Sequence, residues 1–149
     1  MAEGPRLRTM ILLDTNVVSE IMRPSPDPRV RVWISAQPVP ELFTTAINEA
    51  EIFKGIEIMS HGKKRRELVE LAEAFFHVDM ASRILPFDSA AAHWFAEIFA
   101  LRKRTGRMVQ PLDIQIAAIA RQHGAVIATR NIDDFSGAGV ELINPWQAR

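Results

Sequence analysis

The chain contains no cysteine. Disulfides, thiolate zinc sites and cysteine nucleophiles are therefore excluded, and the composition suits a reducing cytoplasm. Neither sign of charge is in excess: 18 Lys and Arg balance 18 Asp and Glu. A general nucleic-acid coat would be basic, so any contact with RNA or DNA must use local patches. No apolar run approaches the length needed to cross a membrane. The first nine residues, MAEGPRLRT, lack the apolar core of a secretory signal, and Met10 is a plausible natural start. No internal repeat, P-loop, dinucleotide fingerprint or Ser-His-Asp arrangement occurs. His61, His77, His93 and His123 have no metal-ligand spacing and read as helix-end or partly buried residues.

What remains is a globular composition, 48% hydrophobic and 24% charged over 149 residues. That length suits one domain able to bury a core without staples. The expected layout is an extension over 1–9, a folded domain over 10–146 and a short tail over 147–149. Short apolar runs at 10–13, 42–45, 84–85, 125–129 and 140–143 read as strands. Helices are expected at 16–22, from Asp27-Pro28, at 47–59, at 63–77, from Asp88-Ser89 to about 104, and from Pro111 to His123-Gly124. Strands alternating with helices imply an α/β sandwich with a parallel sheet of about five strands. Fold rules make the first and fourth strands its central neighbours.

Two central strands run out into acid. ILLDTN delivers Asp14, and AVIATRNIDDF delivers Asp133 and Asp134. Ligands in open α/β sheets bind beyond such strand ends. Taken alone, Asp14 reads as a helix cap, and Asp133 and Asp134 as turn residues. Asp113 opens the helix PLDIQIAAIARQHG, where an acid meets the helix dipole favourably. That helix is apolar almost all round, so its mouth faces a crevice. Glu49 and Glu51 share one helix but point about 160° apart, and periodicity does not choose between them. Carboxylates gathered in one crevice repel each other unless a cation offsets the cost. Hard oxygen ligands suit Mg²⁺ or Mn²⁺, and such a centre can activate water for attack on a phosphodiester.

MILLDTNVVSEI, AEIFKGI at 50–56, LDIQIAAIARQHG at 112–124 and ATRNIDDF…VELINPW at 128–146 together resemble a PIN-domain ribonuclease. The similarity spans residues 10–146 and is greatest to VapC-type toxins of the FitB-like branch. The resemblance implies a Mg²⁺- or Mn²⁺-dependent endoribonuclease with Asp14, Glu51 and Asp113 as acids. Asn16 and Thr129 match polar positions that orient the site. The fourth acid is less clear. Many relatives carry Asp after Thr-Arg, where this chain has Asn131. Asp134 is the choice here over a solvated Asp133, and Asn131 implies one weakened metal position. The resemblance also implies an RNA substrate, a homodimer and a cognate antitoxin that blocks the groove.

Arg130 is the leading single candidate for a phosphate near the acids. Arg102, Lys103, Arg104 and Arg107 form a basic cluster that can steer RNA. The run Gly62–Arg66 reads first as a solvated helix end, with RNA contact second. Trp33, Trp94 and Trp146 are expected to pack. Some of Phe75, Phe76, Trp94, Phe95 and Phe99 are expected at a subunit interface. Two rival readings are a metal-dependent DNA nuclease or phosphatase, and a catalytically silent RNA- or protein-binding domain.

Overall fold

The structure, a computed structural model, describes residues 9–107 and 110–148. Most of the expected extension, residues 1–8, and the terminal Arg149 lie outside the described residues. Strands alternate with helices, singly or in pairs, along the sequence. β1 (Ile11–Leu13) leads into α1 (Thr15–Ile21) and α2 (Pro28–Ser35), then β2 (Leu42–Thr45) into α3 (Ala46–Glu57) and α4 (Lys63–Ala74). β3 (Ile84–Leu85) precedes α5 (Ser89–Arg104) and α6 (Pro111–His123), and β4 (Val126–Ala128), α7 (Ile132–Phe135) and β5 (Leu142–Ile143) complete the chain.

The five strands form one parallel sheet in the order β3-β2-β1-β4-β5. β1 sits at the centre, with Ile11 in register with Leu42 on one side and Val126 on the other. The reason lies in side-chain content. Leu12, Leu13 and Ile127 are fully buried, as only strands covered on both faces can be. Ile11 and Leu13 point into one core with Val17, Val18, Val30, Trp33 and Phe76. Leu12 and Ile127 point into the other with Ile98, Ile114 and Ile119. α1, α2 and α4 thus cover one face, and α5 and α6 the other.

Local chemistry sets the element ends. Asp27 caps α2 by accepting from Arg29 N, and Pro28 occupies the first turn, where no amide is missed. Thr45 and Asn48 form a reciprocal capping box on α3. α6 stops at Gly124, whose φ of 64° is the left-handed conformation that a C-terminal cap uses.

The helix expected over 63–77 ends its regular α-helical part at Ala74 and continues as a π-helical turn through Asp79. Segment 132–135, read as turn, is a four-residue helix. Of the five aromatics among which some were expected at an interface, Phe75 and Phe76 are buried in the first core, their rings meeting edge to face at 4.9 Å. Trp94, Phe95 and Phe99 are half-buried against the second core. Ala148 packs on the first core, so ordered packing continues past Trp146.

Candidate metal centre

β1 ends on Asp14 because the strand's backbone is still paired there: Asp14 N donates to Ala128 O at 3.0 Å. The side chain is 6% exposed and accepts four hydrogen bonds. Thr15 N at 2.8 Å and Asn48 Nδ2 at 3.2 Å donate to Oδ1. Thr129 Oγ1 at 2.8 Å and Asn16 Nδ2 at 3.3 Å donate to Oδ2. The cap and the site are therefore the same residue: Asp14 holds the start of α1 and faces the sheet's rim. Burial pushes its carboxyl above the ordinary range, against the pull of its donors. Four accepted bonds fill the lone pairs of a carboxylate. Two of them exceed 3.1 Å, and these are the ones that a ligand can replace.

Glu51 and Glu49 part company here. Glu51 Oε1 accepts from Thr15 Oγ1 at 3.1 Å, which turns it towards Asp14. Glu49 lies 3.6 Å from His77 Nε2, on the side of α3 that faces the π-helical turn. Burial, followed by repulsion from Asp14, raises the Glu51 carboxyl.

Asp113 stands in the first turn of α6. A helix N-terminus alone would lower its pKa. Instead it is raised to about 6, first by burial and then by repulsion from Asp134, Asp14 and Glu51. Acids from β1, α3, α6 and α7 thus feel one another across the crevice. Asp134 belongs to this set, and it also raises Asp14. Asp133, one residue earlier on α7, is exposed. Asp113, Asp133 and Asp134 line a cleft of about 350 Å³ with Arg102, Arg107 and Gln110. Among the described residues no three acids or histidines already stand at cage spacing. The donor set is nonetheless all hard oxygen, which fits a Mg²⁺- or Mn²⁺-sized cation.

Thr129 and Asn16 tie the two central strand ends together. Thr129 Oγ1 accepts from Asn16 Nδ2 at 3.3 Å and from Asn131 N at 3.0 Å. Asn16 Oδ1 accepts from Arg130 N at 3.1 Å. Thr129→Val removes the hydroxyl's three bonds while keeping its shape. RNA cleavage should drop about 10- to 100-fold, the usual cost of losing a supporting contact at a metal site. Urea unfolding should show a loss of about 1–3 kcal/mol.

Sequence reasoning missed Asn48 and Thr15. Asn48 is fully buried. Its Oδ1 accepts from Thr45 Oγ1 at 2.6 Å, while its Nδ2 donates to Asp14 and to Thr15 Oγ1 at 3.0 Å. A relay thus runs from Asn48 through Thr15 to Glu51. The capping pattern at Thr45 was the available signal, but a cap alone does not disclose the second set of bonds.

The basic residues divide. Arg130 is exposed and lies over the Trp146 ring at 5.0 Å, beside the acid-bearing loop. Arg104 is exposed on the last turn of α5. Arg107 is exposed but donates to Ser136 O at 2.6 Å. Arg102, grouped with them as a steering cation, is only 6% exposed and donates to Asp134 O. It belongs to the cleft wall, since it follows Ala91 and Ile98 on the buried stripe of α5. In the Gly62–Arg66 run, Arg65 donates to Ile56 O at 3.1 Å and pairs with Glu57, which finishes α3.

Glu51 and Thr15 also line a largely apolar groove of about 600 Å³, with Met22, Ile52, Ile56, Met59 and Leu68. A larger cavity, about 950 Å³ between α2 and β5, contains none of the acids.

Comparison with known proteins matches residues 11–140 to the PIN domain family. The VapC ribonuclease Y4jK of Sinorhizobium fredii is 40% identical over 93% of this chain and 99% of its own length. Toxin FitB of Neisseria gonorrhoeae is 40% identical over 92% of this chain and 99% of its own. Among solved structures, FitAB bound to an IR36 DNA fragment superposes with a TM-score of 0.87 at 39% identity, covering 94% of this chain and 98% of that one.

Proposed function

The chain belongs to the PIN-domain family, and from that premise we propose that it is a metal-dependent endoribonuclease, the toxin of a toxin–antitoxin pair. One observation carries the catalytic part. Asp113 is pushed up to about 6 by burial and by three other acids, from parts of the chain far apart in sequence. A fold gathers like charges at such cost where a cation answers them. The similar proteins named as a ribonuclease and a toxin support the rest.

Asp14, Glu51, Asp113 and Asp134 would hold the cation, Mg²⁺ or Mn²⁺. Such an ion, when bound, neutralises phosphate charge and acidifies water. The chain's own contribution is orientation. Short bonds from Thr15 N and Thr129 Oγ1 fix one direction of Asp14. The Asn48–Thr15 relay keeps Glu51 turned inward. Arg130, braced on Trp146, meets a backbone phosphate beside the acids, and Arg104 and Arg107 extend the positive edge. The apolar groove that Glu51 lines seats an antitoxin segment, which shuts the acids off from RNA. The protein works as a homodimer in the cytoplasm. Among the described residues no helix is long and apolar enough to cross a membrane.

The test uses single-stranded RNA, single-stranded DNA and a phosphomonoester with Mg²⁺. Wild type should cut RNA. Glu51→Gln should lose at least about 100-fold, and Glu49→Gln should stay within about twofold, because only the former faces the acids. Loss in Glu49→Gln with a normal Glu51→Gln would reverse the assignment. Preference for DNA or the phosphomonoester would replace the ribonuclease reading. Tight partner binding with no cleavage of any substrate would identify a binding domain.

A further inference from the structure

Resting on that reading, we propose that Arg102 is a positioning residue: from the end of α5 it holds the backbone at Asp134, so that this acid completes the cation site with Asp113.

The geometry starts with an expensive residue. Arg102 is 6% exposed, yet it sits on the stripe of α5 that carries Ala91 and Ile98. A Met or Leu there would fill the space without desolvating a charge. The guanidinium bonds a carbonyl, Asp134 O at 2.5 Å, rather than a carboxylate. Among the described residues its Nε is buried with no partner. It lines the same cleft as Asp113 and Asp134.

Arg102 does not act alone. Arg107 Nη1 donates to Ser136 O at 2.6 Å, and Arg121 Nη1 donates to Ala138 O at 3.0 Å. Three arginines thus take the carbonyls of alternate residues, 134, 136 and 138. Two glycines, Gly137 and Gly139, carry the segment past these arginines in left-handed conformations, and at Gly139 a side chain would also crowd its arginine. Gly139 has φ 76°, and a Cβ there would come within 2.2 Å of Arg121 Nη1. Gly137 has φ 80°, and its Cβ would meet the Arg107 guanidinium at 3.4 Å. Residues 136–141, between α7 and β5, lie in neither helix nor strand, so these side chains supply the fixing that a ladder would otherwise give. The consequence is local. This chain has Asn131 in the first polar turn after β4, and the acid that faces Asp113 comes three residues later, on a four-residue helix. An acid on so short an element needs its backbone held.

Charge and position make opposite claims about Arg102→Met. Removing a cation from an acidic cleft tightens Mn²⁺ if charge alone matters. Loosening Asp134 weakens it. Mn²⁺ affinity by electron paramagnetic resonance, together with amide hydrogen exchange over 132–138, separates the two. Arg102→Met should bind Mn²⁺ about 10- to 100-fold more weakly, with faster exchange at 134–138. Arg102→Lys keeps the charge but lacks the planar fork, and it should also bind more weakly. A folded Arg102→Met with wild-type or tighter affinity overturns the proposal. Should that variant not fold, the exposed Arg107→Met decides: faster exchange at 134–138 with weaker Mn²⁺ supports the clamp, and wild-type values refute it. Failure of the wild type itself to bind Mn²⁺ would instead sink the metal-dependent reading on which the clamp rests.

Discussion

Asp113→Asn should abolish RNA cleavage and yet stabilise the metal-free protein. The loss follows from removing a cation ligand, and it should reach at least about 10³-fold, beyond the cost of losing a supporting contact or one electrostatic donor. The gain follows from linkage. The folded carboxyl has a pKa of about 6, above its ordinary 3.8, so the folded state binds the proton more tightly than the unfolded chain. Its stabilising contribution is whole below about pH 4 and is lost as pH rises through about 6. At neutral pH the ionised acid therefore opposes folding. Because Asp113 is partly exposed, solvent screening reduces that cost to the order of 1 kcal/mol. Asn cannot ionise and avoids it. Urea unfolding with chelator should show wild-type stability falling between about pH 4 and pH 7, with a flatter curve for Asp113→Asn. In thermal scans the variant should melt about 2–4 °C higher at neutral pH. Asp14→Asn should be equally inactive without that gain, because an amide nitrogen would face the Asn16 and Thr129 donors that now meet an oxygen.

Chelation should have the second large effect. With divalent ions removed, cleavage should fall by at least about 10³-fold and return on adding Mg²⁺ or Mn²⁺. The cation should also act as a folding ligand. At about 100 times its Kd it adds about 2.7 kcal/mol, which raises the melting temperature by roughly 5–10 °C for a domain of this size. In Asp113→Asn and Glu51→Gln that rise should shrink or vanish. A melting temperature indifferent to Mn²⁺ in the wild type, with cleavage intact in chelator, would show that the acids act without a metal.

The strands were legible because each is a short apolar run bounded by Pro, Gly or polar residues, and the parallel order follows from the alternation with helices. The four-residue α7 was not, since Ile-Asp-Asp-Phe has too few residues for periodicity to speak. Asp14, Asp113 and Asp134 were legible as acids at strand and helix ends. The choice between Glu51 and Glu49 was not legible from one helix, because it depends on Thr15 and His77, which come from other elements. Asn48 was not legible as a site residue, and the capping box it forms with Thr45 is local to α3. Its bonds to Asp14 and Thr15 exist only once β1 and α3 are side by side. Arg102 was misjudged by its charged neighbours. Its spacing of four residues from Ile98, itself seven from Ala91, was the signal that it turns inward.

The most direct test is an anomalous difference map from crystals soaked in Mn²⁺. The account predicts a peak about 2.1 Å from carboxylate oxygens of both Asp14 and Asp113, with Glu51 and Asp134 reaching it directly or through water. Crystals of protein that still cuts RNA, with Mn²⁺ bound elsewhere and these acids bare, would contradict it.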